Sequence, residues 1–155
     1  DTCWRATRDA APKTGFLKPA QIHSRFIPGL LAGGKMSASI PDSAIFTTDD
    51  ARTAQRKIMN AFTGGRASVE EQRRLGGDPE ICPIFQYEYF LLEPDDSKVE
   101  EIRRRCLRGE LLCGEHKAAV AEKVQAFLKG HQERRERAKE VLEEYLVKDE
   151  YFAKK

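Results

Sequence analysis

The sequence predicts a mainly α-helical protein, with a short mixed α/β segment at residues 1–46 ahead of a helical domain at residues 47–155. Two observations predict this class. Of the 155 residues, 40% are hydrophobic and 34% are charged, a composition typical of a helix-rich globule. Turns are frequent before Thr47, whereas apolar residues recur at helical spacing after it. The change at Thr47 therefore predicts the boundary between the two units.

The first unit is predicted to contain one helix and two short strands. Residues 1–13 favour a helix that fades at residues 13–15. The apolar residues 20–24 favour a buried strand, and Pro28-Gly29 favours a turn. A glycine-flanked loop follows, and residues 44–46 favour a last short strand.

The start of the chain is typical of the middle of a longer protein. It begins at Asp1, without an initiator methionine, and its early apolar residues have no capping element ahead of them. These apolar residues are Trp4, Phe16, Ile22, Phe26 and Ile27. We therefore expect a fragment of a longer chain.

Two short helices are expected to open the second unit. Thr47-x-x-Asp50 resembles a capping box, and the apolar stripe that follows it stops at Gly64-Gly65. The stripe consists of Ala51, Ala54, Ile58 and Phe62. Ser68-x-x-Glu71 predicts the start of the second helix, and Gly76-Gly77 predicts its end.

Three further helices are predicted after residue 78. One begins near Pro79, with Pro83 in its first turns, and one begins at a Ser97 cap and ends at about Arg108. The apolar residues of the first are Ile81, Ile84, Phe85, Tyr87, Phe90 and Leu91. A long helix is expected from Gly114 to about Val147, and Asp149 onward is expected to be a frayed tail. The apolar face of the long helix comprises Val120, Val124, Phe127, Leu128, Ala138, Val141, Leu142 and Tyr145, and Gly130 weakens it by roughly 1 kcal/mol relative to alanine.

Charge and hydropathy exclude some classes of protein. The net charge of +2 does not by itself predict nucleic-acid binding. Basic residues cluster, but acidic residues at helical spacing accompany most clusters, which predicts solvated faces. The clusters are Arg52, Arg56 and Lys57; Arg73 and Arg74; Arg103, Arg104, Arg105 and Arg108; and Arg134, Arg135 and Arg137. No apolar run has the length of a membrane span and no signal-peptide pattern is present, so we expect a cytoplasmic protein without a membrane partner.

The four cysteines predict neither a metal site nor a disulfide framework. They show no C-x-x-C spacing, and no histidine pairing is apparent near them. They are Cys3, Cys82, Cys106 and Cys113. We expect reduced thiols and no protein-bound metal.

The string Lys35-Met36-Ser37-Ala38-Ser39 is the strongest functional signal. A lysine is a mobile point charge, and Ser37 and Ser39 can donate hydrogen bonds to phosphate oxygens without crowding them. Gly33 and Gly34 leave the backbone before it free to move. The pattern predicts a loop that grips a polyphosphate, although such strings also occur in ordinary surface loops.

The same string resembles the second signature of class I aminoacyl-tRNA synthetases, in the variant with alanine where many members have lysine. Its flanks resemble the eukaryotic and archaeal tryptophanyl-tRNA synthetases from about residue 1 to about residue 146. The matching segments are Arg5-Ala6-Thr7-Arg8-Asp9, Lys18-Pro19-Ala20-Gln21-Ile22-His23-Ser24, Asn60-Ala61-Phe62-Thr63-Gly64-Gly65-Arg66, residues 69–77 and Phe85-x-Tyr87-x-x-Phe90-Leu91. Several spaced motifs therefore agree in order.

The resemblance implies a fold and a set of catalytic residues. Residues 1–46 would be the C-terminal remnant of a Rossmann-type α/β catalytic domain, and the helical unit an anticodon-binding domain. Lys35 would stabilise the transferring phosphates of ATP and the departing pyrophosphate, with help from Ser37, Ser39 and Gly34. Met36 would lie by the adenine ring. Magnesium is expected to accompany ATP.

The first class I signature, His-x-Gly-His, does not occur in this sequence, whose histidines are His23, His116 and His131. The resemblance also places the tryptophan pocket ahead of residue 1. We therefore expect that this chain alone does not activate tryptophan. His23 matches a family histidine, and we interpret it as a core histidine at a strand end.

The resemblance also implies two contacts to the anticodon of tRNA-Trp. Arg66 follows two glycines that would let the backbone approach a base, and Lys117 lies near the start of the long helix. The family often has aspartate after this arginine, and Ala67 stands there instead. Without the resemblance, both residues would be interpreted as basic residues at helix ends.

Two alternatives to a tryptophan–tRNA ligase stay open. The sister tyrosyl-tRNA synthetases share the lysine signature, and the Gly-Gly-Arg and Phe-x-Tyr-x-x-Phe-Leu segments favour tryptophan over tyrosine. The other alternative is a non-catalytic fragment that binds RNA or a protein. The family forms homodimers through the catalytic domain, which leaves a monomer open for this chain.

Overall fold

The computed structural model describes residues 2–146, and this part of the chain is helical. Its six α-helices are α1 (Thr2–Lys13), α2 (Ala51–Met59), α3 (Val69–Leu75), α4 (Pro83–Tyr87), α5 (Asp96–Leu107) and α6 (Cys113–Glu140). A π-helical turn at Glu88–Leu92 continues α4, and 3₁₀ turns occur at Pro41–Ser43 and Leu142–Glu144. The mainly helical class is thus confirmed. Within these residues, no helix has the length and apolarity needed to cross a membrane.

The two predicted strands are wrong, because residues 2–146 contain no strand. A strand requires a neighbour that accepts and donates its ladder hydrogen bonds, and no described segment fills that role. Ile22 is 98% exposed, so residues 20–24 are not buried either. In the second predicted strand, residues 44–46, side chains rather than a neighbouring strand bind the backbone. The Phe46 amide donates to Asp49 Oδ2 (2.9 Å), and the Ala44 carbonyl accepts from Lys57 Nζ (3.1 Å).

Helix α1 is confirmed, and its end has a clear local cause. Gly15 takes φ = 79°, a conformation that glycine adopts without a steric penalty. The chain turns back there, and the Phe16 amide donates to the carbonyl of Ala11 (2.8 Å). This bond satisfies one of the carbonyls that the helix end leaves free.

Helices α2 and α3 form where apolar spacing and caps predict them, with shifted bounds for α2. Asp50 caps α2 by accepting from the Thr53 amide (2.6 Å), so the helix begins at Ala51 rather than near Thr47. It ends at Met59, before Phe62, whose amide donates to the carbonyl of Leu30 (2.7 Å).

Only part of the predicted apolar stripe of α2 is buried. Ala54 and Ile58 are fully buried, whereas Ala51 and Phe62 are exposed. Burial of one isoleucine side chain stabilises a protein by roughly 1.5–3 kcal/mol, so Ile58 is a principal anchor of α2. The lysine of the adjacent basic cluster, Lys57, is also buried and therefore does not belong to a solvated face.

Three helix starts or ends differ from the prediction. Helix α4 begins at Pro83 rather than near Pro79, and α5 is capped by Asp95, which accepts from the Ser97 amide (2.9 Å), rather than by Ser97. Helix α6 ends at Glu140, and Val147 and the tail from Asp149 lie outside the described residues.

The core lies between α2, α4 and the first half of α6. Val120, Val124 and Leu128 project from α6 into this core. The residues predicted beyond them, Ala138, Val141, Leu142 and Tyr145, are exposed because the other helices pack on the earlier part of α6. Phe127 is also exposed, although it lies beside the buried Leu128. Leu30 is fully buried in the same core although it precedes residue 47.

Candidate functional site

The segment that contains the lysine signature folds into a loop closed by its own backbone. The Gly29 amide donates to the carbonyl of Gly34 (2.9 Å), and the Leu30 amide donates to the carbonyl of Ser43 (2.8 Å). Gly33 and Gly34 have φ values of 95° and 69°, which an L side chain rarely adopts. A Cβ on Gly29 would lie 2.6 Å from the Lys35 carbonyl oxygen. Glycines are therefore required where the loop folds back on itself.

The side chains of the signature face solvent. Lys35 is exposed, and the hydroxyls of Ser37 and Ser39 lie 2.8 Å apart and share one hydrogen bond. Each hydroxyl has one proton and two lone pairs, so the pair retains one O–H for a further acceptor. A cation and a hydroxyl donor on one exposed loop suit the oxygens of a phosphate.

Ser43 holds this loop from inside, a role that no sequence motif indicates. Its side chain is buried, and its Oγ accepts from the Ser37 amide (2.9 Å). The same Oγ lies 2.7 Å from the carbonyl oxygen of Ile40 and 3.1 Å from that of Ser37. One small hydroxyl thus connects both ends of the stretch from Ser37 to Ser43.

Two ionic contacts attach the end of the loop to α2. Arg56 binds both carboxylate oxygens of Asp42 (2.8 and 3.3 Å), and this hydrogen bonding lowers the pKa of Asp42. The buried Lys57 donates to Asp49 Oδ2 (2.6 Å) and lies 4.7 Å from the centre of the Phe46 ring. The Asp42–Arg56 pair is half exposed and contributes little stability, but it fixes an orientation.

Met36 lines an apolar cavity of about 210 Å³ between the loop and the helical body. Ile45, Tyr87 and Leu92 line the same cavity, together with Phe127 from α6. The structure therefore brings the loop's methionine against the helices, in addition to presenting its lysine to solvent.

His23 is not a core histidine. It is exposed, and its ring makes an edge contact with Trp4, with ring centres 5.2 Å apart. The guanidinium of Arg8 also lies over the Trp4 ring, 5.1 Å from its centre. The prediction failed because the strand that would have buried His23 does not form among the described residues.

Arg66 lies at the edge of a surface cavity of about 370 Å³ between α3 and the start of α6. Its amide donates to Gln72 Oε1 (2.9 Å) and its Nε donates to the carbonyl of Gly76 (2.9 Å). These two bonds fix the base of the side chain, which is exposed and presents its terminal nitrogens. Ala67 and Gly114 also line this cavity.

Lys117 has a structural partner. Its Nζ donates to the carbonyl of Met59 at the end of α2 (2.9 Å), and burial lowers its pKa. A lysine at a helix C-terminus stabilises the carbonyls that the helix leaves unpaired. Lys117 therefore joins α6 to α2, and it lies about one turn further along α6 than the residues of the Arg66 cavity.

Three cysteines that are distant in sequence converge on one tight cavity. Cys82, Cys106 and Cys113 line it together with His116, which corrects the expectation that no histidine lies near them. All three thiols are free, and burial, with the neighbouring cysteines and Asp78, raises the pKa of Cys106 to about 11. Residues 2–146 nevertheless contain no group of histidine, cysteine or acidic side chains arranged to hold a metal ion.

Two curated proteins that are similar in sequence to this chain are both tryptophan–tRNA ligases. Tryptophan–tRNA ligase of Pyrobaculum aerophilum is 53% identical over 145 residues, a match that covers 94% of this chain and 38% of the ligase. The tryptophan–tRNA ligase of Thermococcus sibiricus is 50% identical over 147 residues, with the same shares. The chain thus spans about 38% of the length of these curated relatives.

Solved structures agree with these relatives. Tryptophanyl-tRNA synthetase from Aeropyrum pernix K1 matches with a TM-score of 0.84 and 45% identity, covering 89% of this chain and 38% of that one. Tyrosyl-tRNA synthetase from Aeropyrum pernix matches with a TM-score of 0.67 and 26% identity, covering 83% of this chain and 39% of that one. A family model described as tRNA synthetases class I (W and Y) matches residues 3–129. Because this model covers well over half of the sequence, the chain belongs to the class I tRNA synthetases of the tryptophan and tyrosine group.

Proposed function

We propose that the chain is the C-terminal portion of a tryptophan–tRNA ligase, and that it supplies the phosphate-binding loop and the anticodon-binding domain of that enzyme. One observation supports this above the others. An exposed Lys35 and the paired hydroxyls of Ser37 and Ser39 lie on a glycine-closed loop, in a chain 53% identical to a named tryptophan–tRNA ligase. We assign residues 1–46 to the end of the catalytic domain and residues 47–155 to the anticodon-binding domain.

The loop acts on ATP while tryptophan displaces pyrophosphate. Negative charge increases on the phosphate oxygens in the transition state, and a lysine that approaches only then lowers the barrier selectively. Lys35 supplies this charge, Ser37 and Ser39 donate hydrogen bonds, and the flexible Gly34 permits the approach. Met36 lies by the adenine ring in this proposal.

Magnesium is expected to accompany ATP, and we propose no protein-bound site for it. Magnesium favours octahedral oxygen coordination and is commonly held by a nucleotide's phosphates with one or two carboxylates. Within residues 2–146 no group of three or more histidine, cysteine or acidic side chains is arranged to hold a metal ion. No step of the proposal depends on a protein-bound metal.

The loop assignment can be tested with Lys35→Ala in the full-length parent enzyme. We expect tryptophan-dependent exchange between ATP and pyrophosphate to lose about 10²–10³-fold in kcat, because one transition-state charge contact is removed. The KM for tryptophan should not change. The matched control is Lys98→Ala. Lys98 is exposed on α5, and its Nζ lies 3.8 Å from Glu93 Oε1. Unchanged exchange in Lys35→Ala would contradict the assignment.

Arg66 is the better-placed of the two proposed anticodon contacts. Its guanidinium is anchored through Nε and exposed at a cavity, which suits recognition of a splayed base. The Lys117 amine already donates to Met59, so it would have to give up or share that bond with tRNA-Trp. We therefore expect Arg66 to contribute more binding and Lys117 more stability.

This difference can be measured with a labelled tRNA-Trp anticodon stem-loop. Arg66→Ala should weaken binding by 1–3 kcal/mol, about 5–150-fold, at a temperature where the variant is folded, because the Gly76 carbonyl also loses its partner. Lys117→Ala should lower Tm, because the Met59 carbonyl loses its partner. Arg135→Ala is the control, because Arg135 lies far from the Arg66 cavity. It is about 30 Å along α6 from Glu115, which lines that cavity. If Arg66→Ala bound as tightly as this control, Arg66 would not be a contact.

The comparisons favour tryptophan over tyrosine as the substrate. The tyrosyl enzyme from Aeropyrum pernix is 26% identical to this chain, against 45% for the tryptophanyl enzyme of the same species. Exchange that depended on tyrosine rather than tryptophan would reverse this choice. As a translation enzyme the protein would act in the cytoplasm, and its full-length form as a homodimer.

A further inference from the structure

We propose that Ser43 is a positioning residue for the reaction: its buried hydroxyl holds the phosphate-binding loop in the shape from which Lys35 and Ser37 reach ATP. This inference rests on the proposed function of the loop. Ser43 lies outside the lysine signature and is 1% exposed, so it does not touch the nucleotide itself. It acts through the backbone of Ser37.

The Ser43 hydroxyl makes contacts that alanine and cysteine cannot reproduce. It accepts from the Ser37 amide (2.9 Å), and its own proton is directed to carbonyl oxygens at Ile40 (2.7 Å) or Ser37 (3.1 Å). A hydroxyl can donate and accept at one atom, whereas a thiol does both weakly. Without it, the part-buried Ser37 amide would lose its partner, which is costly away from water, whereas the two carbonyls would keep their backbone donors.

The backbone of Ser43 connects the loop to the protein core. Its carbonyl accepts from the Leu30 amide (2.8 Å), and Leu30 is fully buried among core residues. The neighbouring Asp42 pairs with Arg56 of α2. The position of Ser43 is therefore fixed by Leu30 and, through Asp42, by Arg56. Its side chain connects the exposed loop to this fixed point.

The other restraints on the signature are a backbone hydrogen bond and the packing of Met36. The Ile40 amide donates to the Ser37 carbonyl (3.1 Å), and Met36 lines the cavity against the helices. The Ser37–Ser39 hydroxyl contact lies within the exposed part and connects it to nothing else, and Lys35 and Ser39 are exposed. On the other side the loop is closed by the Gly29–Gly34 bond. The Ser43 hydroxyl is thus the side-chain contact that fixes the backbone of Ser37, two residues from both Lys35 and Ser39.

A residue that only stabilised the fold would lower Tm and leave the chemistry of the surviving folded enzyme intact. A positioning residue changes kcat more than substrate binding, because the loop contributes chiefly in the transition state. The two roles are therefore separated by kcat, the KM for tryptophan and the accessibility of the loop, each measured on folded protein.

The experiment compares Ser43→Ala and Ser43→Cys with Ser97→Ala in the full-length enzyme. Ser97 is the matched serine control, because it lies in the first turn of α5 and its side chain does not cap that helix. We expect kcat for pyrophosphate exchange to fall about tenfold in both Ser43 variants, as for one lost hydrogen bond. The KM for tryptophan should stay within twofold of wild type. Equal kcat in Ser43→Cys and Ser97→Ala would overturn the proposal.

A second measurement uses the 155-residue chain and needs no activity. Trypsin cleaves after Lys35, and a loop released from Ser43 should be cut several-fold faster than in Ser97→Ala under conditions where both are folded. Unchanged cleavage after Lys35 would overturn the positioning role. If the full-length wild type lacked exchange but Ser43→Ala accelerated cleavage, the proposed function would fail while the restraint by Ser43 would stand.

Discussion

At the scale of single residues, Glu88 is a buried acidic side chain that requires a cationic partner. Its carboxylate is almost completely buried at the π-helical turn after α4, and it forms an ion pair with Lys123 of α6. Lys123 also binds Glu93 (2.9 Å), and His116 Nε2 lies 3.8 Å from Glu88. Burial alone would raise the pKa of Glu88, but His116 and Lys123 outweigh it and lower that pKa. The ion pair therefore fixes the π-helical turn onto α6.

Glu88→Gln should destabilise the chain by about 2 kcal/mol at pH 7, because Lys123 loses a buried anionic partner. The folded-state pKa of Glu88 lies below its ordinary value of 4.5, so its contribution is complete above pH 4.5 and is lost as the pH falls through the folded pKa. Urea unfolding at pH 7, 5, 4 and 3 measures this. The difference between wild type and variant should shrink toward pH 3.

Glu133→Gln is the control for this series, since Glu133 is exposed on α6. Its free energy of unfolding should follow that of wild type at each pH. A difference between wild type and Glu88→Gln that grew on acidification would show that Glu88 does not act as the charged partner of Lys123.

At the scale of helices, a side-chain cap marks the start of three of the six described α-helices: α2, α3 and α5. Ser68 accepts from the Glu71 amide (3.2 Å) and starts α3 where the sequence predicts it. Ser97 was predicted to cap α5, but Asp95, two residues earlier, accepts from the Ser97 amide instead, and the helix begins at Asp96. Both residues have short polar side chains that suit a cap, and only the backbone conformation selects one.

Ser68→Ala should lower the free energy of unfolding by about 1 kcal/mol, because the first turn of α3 loses its cap. Ser97→Ala should leave it unchanged, since the cap of α5 is Asp95. Thermal and urea unfolding of the 155-residue chain at neutral pH measure both. A larger loss in Ser97→Ala than in Ser68→Ala would contradict the capping pattern described above.

At the scale of the whole molecule, the segment between α1 and the signature loop carries large apolar side chains that the described residues do not cover. Phe16, Leu17, Ile22 and Phe26 are at least 72% exposed. The chain also spans about 38% of the length of its curated relatives. Both facts support the proposal that a catalytic domain is completed by residues outside this sequence.

The 155-residue chain, mixed with ATP, tryptophan and pyrophosphate, should show no exchange. In our proposal it carries one phosphate-binding signature, and the resemblance places the other signature and the tryptophan pocket elsewhere in the enzyme. Binding of the anticodon stem-loop by the same preparation serves as the control for a folded protein. Robust exchange by this chain alone would show that activation needs none of the missing parts.

From the sequence alone one could predict the helical class, the existence of helices α1 to α6 with ends up to about seven residues off, and a loop that carries Lys35, Ser37 and Ser39. These follow from local patterns, since apolar spacing, caps and glycines act over a few residues. The family was also evident, because several motifs agree in order.

Features that depend on partners distant in sequence became apparent only in the folded chain. Residues 20–24 are not a strand because no described segment pairs with them, and Lys117 is tied to Met59, 58 positions earlier. The buried roles of Ser43 and Glu88, and the convergence of Cys82, Cys106 and Cys113, likewise arise from chain packing. A hydrogen bond or an ion pair across such separations has no periodicity in the sequence, so folding alone reveals it.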